Sequence, residues 1–322
     1  MKCAIVGATG KVGSMMLTCL KEFDIRFNEL TLYASSHSAG NKIFFDNEEY
    51  VVKTLSKEEM EKGFDYILFS AGRQVSREYA PIASFAGSIV IDNSSAFRQE
   101  SNIPLIVPEV NGALLKDYKG IISNPNCSTI QLVLLLKPLS TYRSIKKIIL
   151  TTLQSVSGAG YKGIKELHNQ RKGSTFQNTF PKQIDLNVIP QIGAISENSY
   201  CDEENKMSFE IKKILNDYTL DIVVTTVRVP VVYGHSESVY IEFSDEVYIS
   251  DIKNIFSHSE NVSYSEDYIT PLDLGESNMS HVSRVRYGEN RKSIVLWNVG
   301  HNVRLGAATN AIKILKNIVT NN

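Results

Sequence analysis

The chain has 322 residues, with 34 Lys and Arg against 35 Asp and Glu, so its formal net charge is −1; 43% of residues are hydrophobic and 21% charged. A charge this near zero leaves no electrostatic footprint for non-specific nucleic-acid binding. Apolar runs such as Leu132 to Leu136 fall far short of the ~20 residues of a membrane helix.

The length suits two domains of moderate size or one large one, and either buries its core without staples. The four cysteines, Cys3, Cys19, Cys127 and Cys201, show no C-x-x-C pair. That spacing gives neither a disulfide framework nor a metal site, and it points to a reducing, cytoplasmic setting. The opening MKCAIVGATG reads as a strand entering a glycine turn and has no signal-peptide core.

In chain order, the pattern predicts a strand over Lys2 to Val6 and a helix over Lys11 to Lys21. Strands follow at Leu30 to Ala34, Tyr66 to Ser70 and Ser88 to Asp92, with a helix over Ser76 to Phe85. Such alternation implies right-handed crossovers and a mainly parallel sheet. The pattern changes near Asn124. A helix over Ser128 to Leu136 leads into a strand over Ile148 to Leu153, and Gln170 to Lys182 reads as a polar loop. Longer strands follow over Asp221 to Val232, Ser238 to Phe243, Val282 to Tyr287 and Ile294 to Val299. Fewer helices separate them, so this half reads as α+β with an antiparallel or mixed sheet. An amphipathic helix over Asn302 to Ile318 ends the chain and can return to the first domain.

Two turns carry chemistry. GATGKVG places Gly7, Gly10 and Gly13 between the first strand and the first helix. There glycines let the backbone approach a pyrophosphate, and the helix N-terminus offers unpaired N–H groups and a positive dipole end. After the second strand the sequence reads YASSHSAG. No acid stands there for a ribose 2′-hydroxyl, while Ser35, Ser36, His37 and Ser38 are small donors suited to a 2′-phosphate. The second turn is SNPNCSTIQL, where Cys127 sits at or near a helix start, a position that favours a thiolate. Cys3 and Cys19 read as core and Cys201 as a residue without an activator. Of six histidines, His235 in VRVPVVYGHSE stands at a strand end freed by Gly234, where catalytic side chains commonly project.

Taken in order, GATGKVG, DNSSAFR (Asp92 to Arg98), SNPNCSTIQL, LQSVSGAG (Leu153 to Gly160), NVIPQIG (Asn187 to Gly193) and RVPVVYGHSE resemble the aspartate-β-semialdehyde dehydrogenase family over nearly the whole chain. The resemblance implies a Rossmann-type NADP-binding domain over 1–126 plus 302–322. An α+β catalytic and dimerisation domain then covers 127–301. It implies NADPH-dependent reductive dephosphorylation of L-aspartyl-4-phosphate to L-aspartate 4-semialdehyde, toward lysine, threonine, methionine and diaminopimelate.

Residue by residue, Cys127 matches the nucleophile, His235 the general acid/base and Gln154 the group that orients the acyl carbon. Arg98 and Lys206 match phosphate binders, Arg228 the anchor of the substrate α-carboxylate, and Glu203 the partner of its α-amino group. Cofactor contacts fall on Gly7, Thr9, Gly10, Lys11, Val12, Gly13 and Ser35 to Ser38. Ser157, Gly158 and Asn302 are also cofactor contacts, with Asn302 on the nicotinamide side. Homodimers or homotetramers through the second domain are implied, with a small-molecule substrate and neither nucleic acid nor membrane as partner.

The chemistry suits these residue types. Cys127 attacks an acyl phosphate to give a thioester, which hydride can reduce, while His235 accepts the thiol proton and returns one later. A guanidinium grips a carboxylate through two parallel hydrogen bonds, which suits Arg228. Outside the resemblance, Arg98, Lys206 and Glu203 read as solvated charges, and Glu203 with Lys206 as an i,i+3 helix pair. One departure is His37, which stands where many members carry Arg; a mostly neutral imidazole weakens discrimination against NAD. Rival readings are another acyl-phosphate reductase, such as N-acetyl-glutamyl-phosphate reductase, a Cys/His hydrolase, or a non-catalytic nucleotide sensor.

Overall fold

In the computed structural model, which describes residues 1–175 and 177–321, the alternation of β1 (Lys2–Val6) decides the layering of the first unit. Cys3 and Ile5 face one core, and Ala4 and Val6 face another. A strand covered on both faces reads as continuously apolar, as CAIV does after the exposed Lys2. The chain divides into two units, Met1–Pro125 with Ala307–Asn322, and Asn126–Gly306.

In the first unit β1 is followed by α1 (Lys11–Glu22), β2 (Glu29–Ala34), β3 (Lys42–Phe45), β4 (Glu48–Val51), β5 (Lys53–Thr54) and α2 (Lys57–Met60). Then come β6 (Tyr66–Phe69), α3 (Arg73–Phe85), β7 (Ile89–Asp92), α4 (Pro108–Asn111) and β8 (Ile121–Ser123). The parallel sheet runs β5-β2-β1-β6-β7-β8. This is a doubly wound order whose direction of progression reverses between β1 and β6. Helix α1 buries Gly13, Met16, Leu17 and Leu20, the i, i+3, i+4, i+7 stripe of an amphipathic helix. Ala80 and Ala83 of α3 cover the opposite face of the sheet.

The second unit holds α5 (Cys127–Tyr142), β9 (Ile145–Gln154), α6 (Gly160–Arg171), α7 (Asp202–Leu215), β10 (Asp221–Arg228) and β11 (His235–Phe243). It continues with α8 (Ile249–His258), β12 (Val262–Tyr264), β13 (Ser280–Tyr287) and β14 (Ser293–Gly300). Its sheet, β10-β9-β11-β14-β13-β12, is mixed: β9 is parallel to β10 and antiparallel to β11, and β14 pairs antiparallel with β11 and β13. Helices α5, α7 and α8 pack on this sheet. Along β9 buried Ile148 and Leu150 alternate with exposed Ile149. On β10, Val223 is likewise exposed.

The last helix, α9 (Asn310–Asn321), belongs to the first unit. Its Asn310 donates to Ile106 O and to Asn124 Oδ1, and Lys313 pairs with Glu109 at 2.7 Å.

Of the boundaries that differ from the sequence reading, three bear most on the second unit. The strand expected to reach Val232 stops at Arg228, because Pro230 has no N–H to donate and Gly234 turns at φ +89°. The helix expected from Asn302 begins at Asn310, after a π-helical turn over Arg304–Thr309. Residues 302–306 lie in the second unit, where the Asn302 side chain is held by Ser157 and Gly234. Within the polar stretch expected as a loop over Gln170 to Lys182, Gln170 and Arg171 end α6, and Phe176 lies outside the described residues.

Candidate active site

The glycine turn is built around contacts that no side chain could share. Gly7 has φ +86°, and a Cβ there would lie 2.9 Å from Ser70 C and 3.0 Å from Ala71 N, just past β6. A Cβ on Gly13 would lie 2.2 Å from Gly7 O. Gly7 N and Ala8 N both donate to Tyr33 O, tying the turn to β2. No side chain caps α1 at Gly10, so its first N–H groups suit an anion. The turn lies at the β1–β6 reversal point, where doubly wound sheets take a dinucleotide. These features fit a pyrophosphate. After β2, Ser38 N and Ala39 N close on Ser35 O, leaving Ser35, Ser36 and His37 exposed and Ser38 half-buried.

In the same unit the loop after β7 is fixed by Asp92. Its carboxylate accepts from Ser76 Oγ, Ser94 N and Ser94 Oγ. Burial pushes that carboxyl above the usual range. Arg98 is 8% exposed, and its Nη2 donates to Asn93 O at 3.1 Å.

The second unit gathers most of the remaining candidates. Cys127 is the first residue of α5 and is half-buried, whereas Cys3, Cys19 and Cys201 are buried. Burial also pushes the Cys3 thiol up, which keeps it protonated and inert. Asn126 caps α5, with Oδ1 accepting from Ser128 N and Thr129 N. Two carboxylates of α7 hold the same residue from the other side. Glu203 Oε1 accepts from Asn126 Nδ2, and Glu210 Oε2 accepts from Asn126 N, each at 2.6 Å. Glu203 and Glu210 are seven residues apart and therefore share a helix face. Gly306 presses on the nucleophile, since a Cβ there would lie 2.6 Å from Cys127 Cβ and 2.9 Å from its Cα.

Gln154 ends β9, is 1% exposed, and donates from Nε2 to Glu203 Oε1 at 3.3 Å. The i,i+3 pair expected between Glu203 and Lys206 does not form. Glu203 turns to Asn126 and Gln154, and half-buried Lys206 makes no ion pair among the described residues. Arg228, 6% exposed, ends β10; its Nη1 donates to Ser155 O at 2.6 Å and its guanidinium lies 5.9 Å from the Phe180 ring centroid. Burial pulls the guanidinium down from the usual arginine range, while Glu203 and then Cys127 act in favour of its charge.

His235 begins β11 and is fully buried. Its Nδ1 faces Ser155 N and Ser155 Oγ, both at 3.1 Å, and its Nε2 has no partner. Burial, then the Arg228 charge, hold the ring well below the usual imidazole range; the Gly234 carbonyl opposes this and His301 adds to it. Gly158 lies against both groups. A Cβ there would come 2.7 Å from Arg228 Nη1 and 3.5 Å from His235 Nε2. Asn302 closes the cluster, with Nδ2 donating to Ser157 Oγ and Oδ1 accepting from Gly234 N.

Asn126, Ser155, Glu210 and Gly306 were not among the candidate site residues of the sequence reading. The i+7 spacing of Glu210 from Glu203, and the capping residue type just before Cys127, could have pointed to two of them.

Two family models match the chain: semialdehyde dehydrogenase, NAD binding domain, over residues 2–118, and semialdehyde dehydrogenase, dimerisation domain, over residues 136–305. The aspartate-semialdehyde dehydrogenase of Aquifex aeolicus is 42% identical over 98% of this chain and 97% of its own length. That of Bacillus subtilis is 41% identical over 98% and 96%. The crystal structure of aspartate semialdehyde dehydrogenase II complexed with ASA from Vibrio cholerae superposes with a TM-score of 0.96 at 40% identity, covering 99% of this chain and 98% of that one.

Proposed function

On the premise that this chain belongs to the aspartate-semialdehyde dehydrogenase family, we propose the following assignment of its reaction to its residues. The enzyme converts L-aspartyl 4-phosphate to L-aspartate 4-semialdehyde and inorganic phosphate, a step of amino-acid biosynthesis. Cys127 is the nucleophile. Its sulfur bonds to the acyl carbon, the carbon–oxygen bond to phosphate breaks, and a thioester remains. NADPH, when bound, supplies the hydride that reduces this thioester to the aldehyde.

Gly7, Thr9, Gly10, Lys11, Val12 and Gly13 would hold the pyrophosphate, and Ser35, Ser36, His37 and Ser38 the 2′-phosphate. Ser157, Gly158 and Asn302 would stand on the nicotinamide side. Preference for NADP over NAD rests on the serine-rich turn after β2, which carries no acid. Arg228 anchors the substrate α-carboxylate, and Gln154 orients the acyl group. Glu203 meets the α-ammonium, a role an acetylated substrate would leave empty. Arg98 and Lys206 receive the phosphate. His235 serves as the general acid/base that accepts the Cys127 thiol proton and returns one later.

The carrying observation is chemical contrast within one unit. A half-buried cysteine opens a capped helix, and beside the charge that it favours on Arg228 stands a buried imidazole with an unpartnered Nε2. The open apolar face around Ile149 and Val223 supports homodimerisation through the second unit. No helix among the described residues is long and apolar enough to cross a membrane. A cytoplasmic setting accords with four cysteines that form no disulfide.

The test is phosphate-dependent oxidation of aspartate semialdehyde, followed at the reduced-nicotinamide absorbance with NADP and with NAD. Turnover that requires phosphate, prefers NADP and vanishes in Cys127→Ser is expected. Turnover without phosphate, or near wild-type rates in Cys127→Ser, overturns the assignment.

A further inference from the structure

Helix α7 carries an apolar stripe, and a charge interrupts it. Met207, Ile211 and Ile214 are buried, and Glu210 stands among them, itself 1% exposed. That place in the stripe ordinarily takes an apolar side chain. A buried carboxylate there costs free energy unless donors meet it. One donor is Asn126 N, which reaches Glu210 Oε2 at 2.6 Å. Asn126 directly precedes the nucleophile and caps the helix that Cys127 opens.

Every polar group of Asn126 is held. Its Oδ1 accepts from Ser128 N and Thr129 N, and its carbonyl accepts from Ile130 N. Its two donors both go to α7, Nδ2 to Glu203 and the backbone N–H to Glu210. The two carboxylates grip one residue, but they are not equivalent. Glu203 is half-buried, and its Oε1 is shared with Gln154 Nε2. In the reaction proposed above it also meets the substrate ammonium, whose hydrogens compete with the Asn126 amide for the same carboxylate. Glu210 stands two turns further along the helix and is closed off from solvent. No group that enters with the substrate competes for it.

Helix α7 is a firm base for such a grip. Its Glu204 accepts from Cys201 N at 2.8 Å and from Thr226 N at 2.9 Å. The second bond ties the start of the helix to β10, two residues before Arg228. One helix thus fixes the backbone beside the substrate anchor and the backbone beside the nucleophile. Gly306 closes against Cys127 itself, where a Cβ would lie 2.6 Å from Cys127 Cβ.

We infer that Glu210 is a positioning residue: by accepting the Asn126 N–H it fixes the peptide that precedes Cys127, and with it the direction of the sulfur, whether or not substrate occupies Glu203. The inference rests on the reading of Cys127 as the nucleophile. Attack on an acyl carbon needs the sulfur aligned with that carbon, so a fixed peptide at the helix start acts on the rate.

Two substitutions separate the reach of the side chain from its charge. Glu210→Asp keeps the charge and draws the acceptor back by one carbon–carbon bond. Glu210→Gln keeps an acceptor of the same reach and removes the charge. Both are made in the full-length enzyme and assayed by phosphate-dependent oxidation of aspartate semialdehyde. A shift near 1 Å at a reacting atom costs roughly 10²-fold, so Glu210→Asp is expected to lose about ten- to a hundredfold in kcat, with KM for the cofactor nearly unchanged. A neutral acceptor holds an N–H about half as strongly as a charged one, so Glu210→Gln is expected to lose about threefold.

The second readout is alkylation of Cys127 by iodoacetamide, taken at the plateau above the ionisation of the thiol. Alkylation asks that the sulfur be ionised and open to solvent, and not that it point at an acyl carbon. Its rate is expected to stay near the wild-type value in both variants while kcat falls. A folding defect would instead open the buried Cys3, Cys19 and Cys201 to the reagent.

Wild-type kcat in Glu210→Asp overturns the inference. So does a larger loss in Glu210→Gln than in Glu210→Asp, which would make charge and not reach decisive. Alkylation that slows in step with kcat overturns it too, because the effect would then lie on the exposure of the sulfur. If Glu210→Asp does not fold, Glu210→Gln decides alone: kcat indistinguishable from wild type, or a loss beyond about tenfold, overturns the inference. Cys127→Ser is measured alongside. Turnover retained there overturns the assigned reaction, whereas turnover lost there with wild-type kcat in Glu210→Asp overturns the role of Glu210 alone.

Discussion

Gly306→Ala perturbs the nucleophile without touching any chemical group. Gly306 needs no positive φ, so alanine brings no backbone strain. The added methyl would lie 2.6 Å from Cys127 Cβ, 2.9 Å from its Cα and 3.1 Å from its O. The shortest of these is about 0.8 Å inside the 3.4 Å at which ordinary contact begins. Backbone atoms at the start of a capped helix cannot swing aside as the tip of a side chain can.

Overpacking of this kind costs about 1–3 kcal/mol, and the relief is a shift of Cys127. A misplacement near 1 Å at a reacting atom costs roughly 10²-fold in rate. We expect kcat for phosphate-dependent oxidation to fall by about that factor, with KM for the cofactor nearly unchanged and Tm lower by several degrees. Gly158→Ala is the contrast, because its methyl meets the end of the Arg228 side chain at 2.7 Å. That variant should raise KM for the substrate more than it lowers kcat. Wild-type kcat in a stably folded Gly306→Ala would refute the claim that this contact sets the position of the sulfur.

Two further variants test the surface. Ile149→Asp puts a charge on the open apolar face of the second sheet, and light scattering should find single chains where the wild type forms dimers; a dimer that persists at micromolar concentration places the interface elsewhere. His37→Arg adds a fixed cation where a 2′-phosphate would sit, and the ratio of kcat/KM for NADPH over NADH should rise about tenfold. No change in that ratio would place the phosphate elsewhere.

The first unit was legible because its signals are local. Two-sided burial makes β1, β6 and β7 continuous apolar runs, and the stripe of α1 is regular. The second half hid three helices, α6, α7 and α8. Their polar faces are broad, and the residues that matter on α7 are carboxylates pointing inward, so apolar periodicity does not reveal them. Cys127 and His235 were found because each stands at an element boundary with a turn beside it, and Arg228 only because its segment resembles that of the family. Ser155 was not found because its part is played by a backbone N–H, which every residue but proline carries and which no side-chain pattern records. Gly306 was missed for a related reason: a glycine that makes room for a residue nearly 180 positions away leaves no local trace.

Glu237, two residues beyond His235 on β11, gives stability a pH dependence whose sign follows from its surroundings. It is fully buried, Asn298 Nδ2 donates to its Oε2 at 2.7 Å, and its Oε1 has no partner. Burial outweighs the hydrogen bonds of Asn298 and Gln131 and pushes the carboxyl up to about 8. In the unfolded chain a glutamate titrates near 4.3. Between those two values the folded protein holds a proton that the unfolded chain has lost. Stability therefore falls as pH rises through the window and levels off above the folded value. Asp92 is shifted in the same direction, so the wild type alone cannot separate the two. Glu237→Gln keeps an acceptor for Asn298 and removes the titration, while Asp92 is common to both proteins. From pH 6 to pH 9 the wild type should lose roughly 2–3 kcal/mol relative to Glu237→Gln in denaturant unfolding. A difference that stays constant over that range would mean that Glu237 is already ionised in the folded protein at pH 6, and that the cavity around it is more polar than its burial indicates.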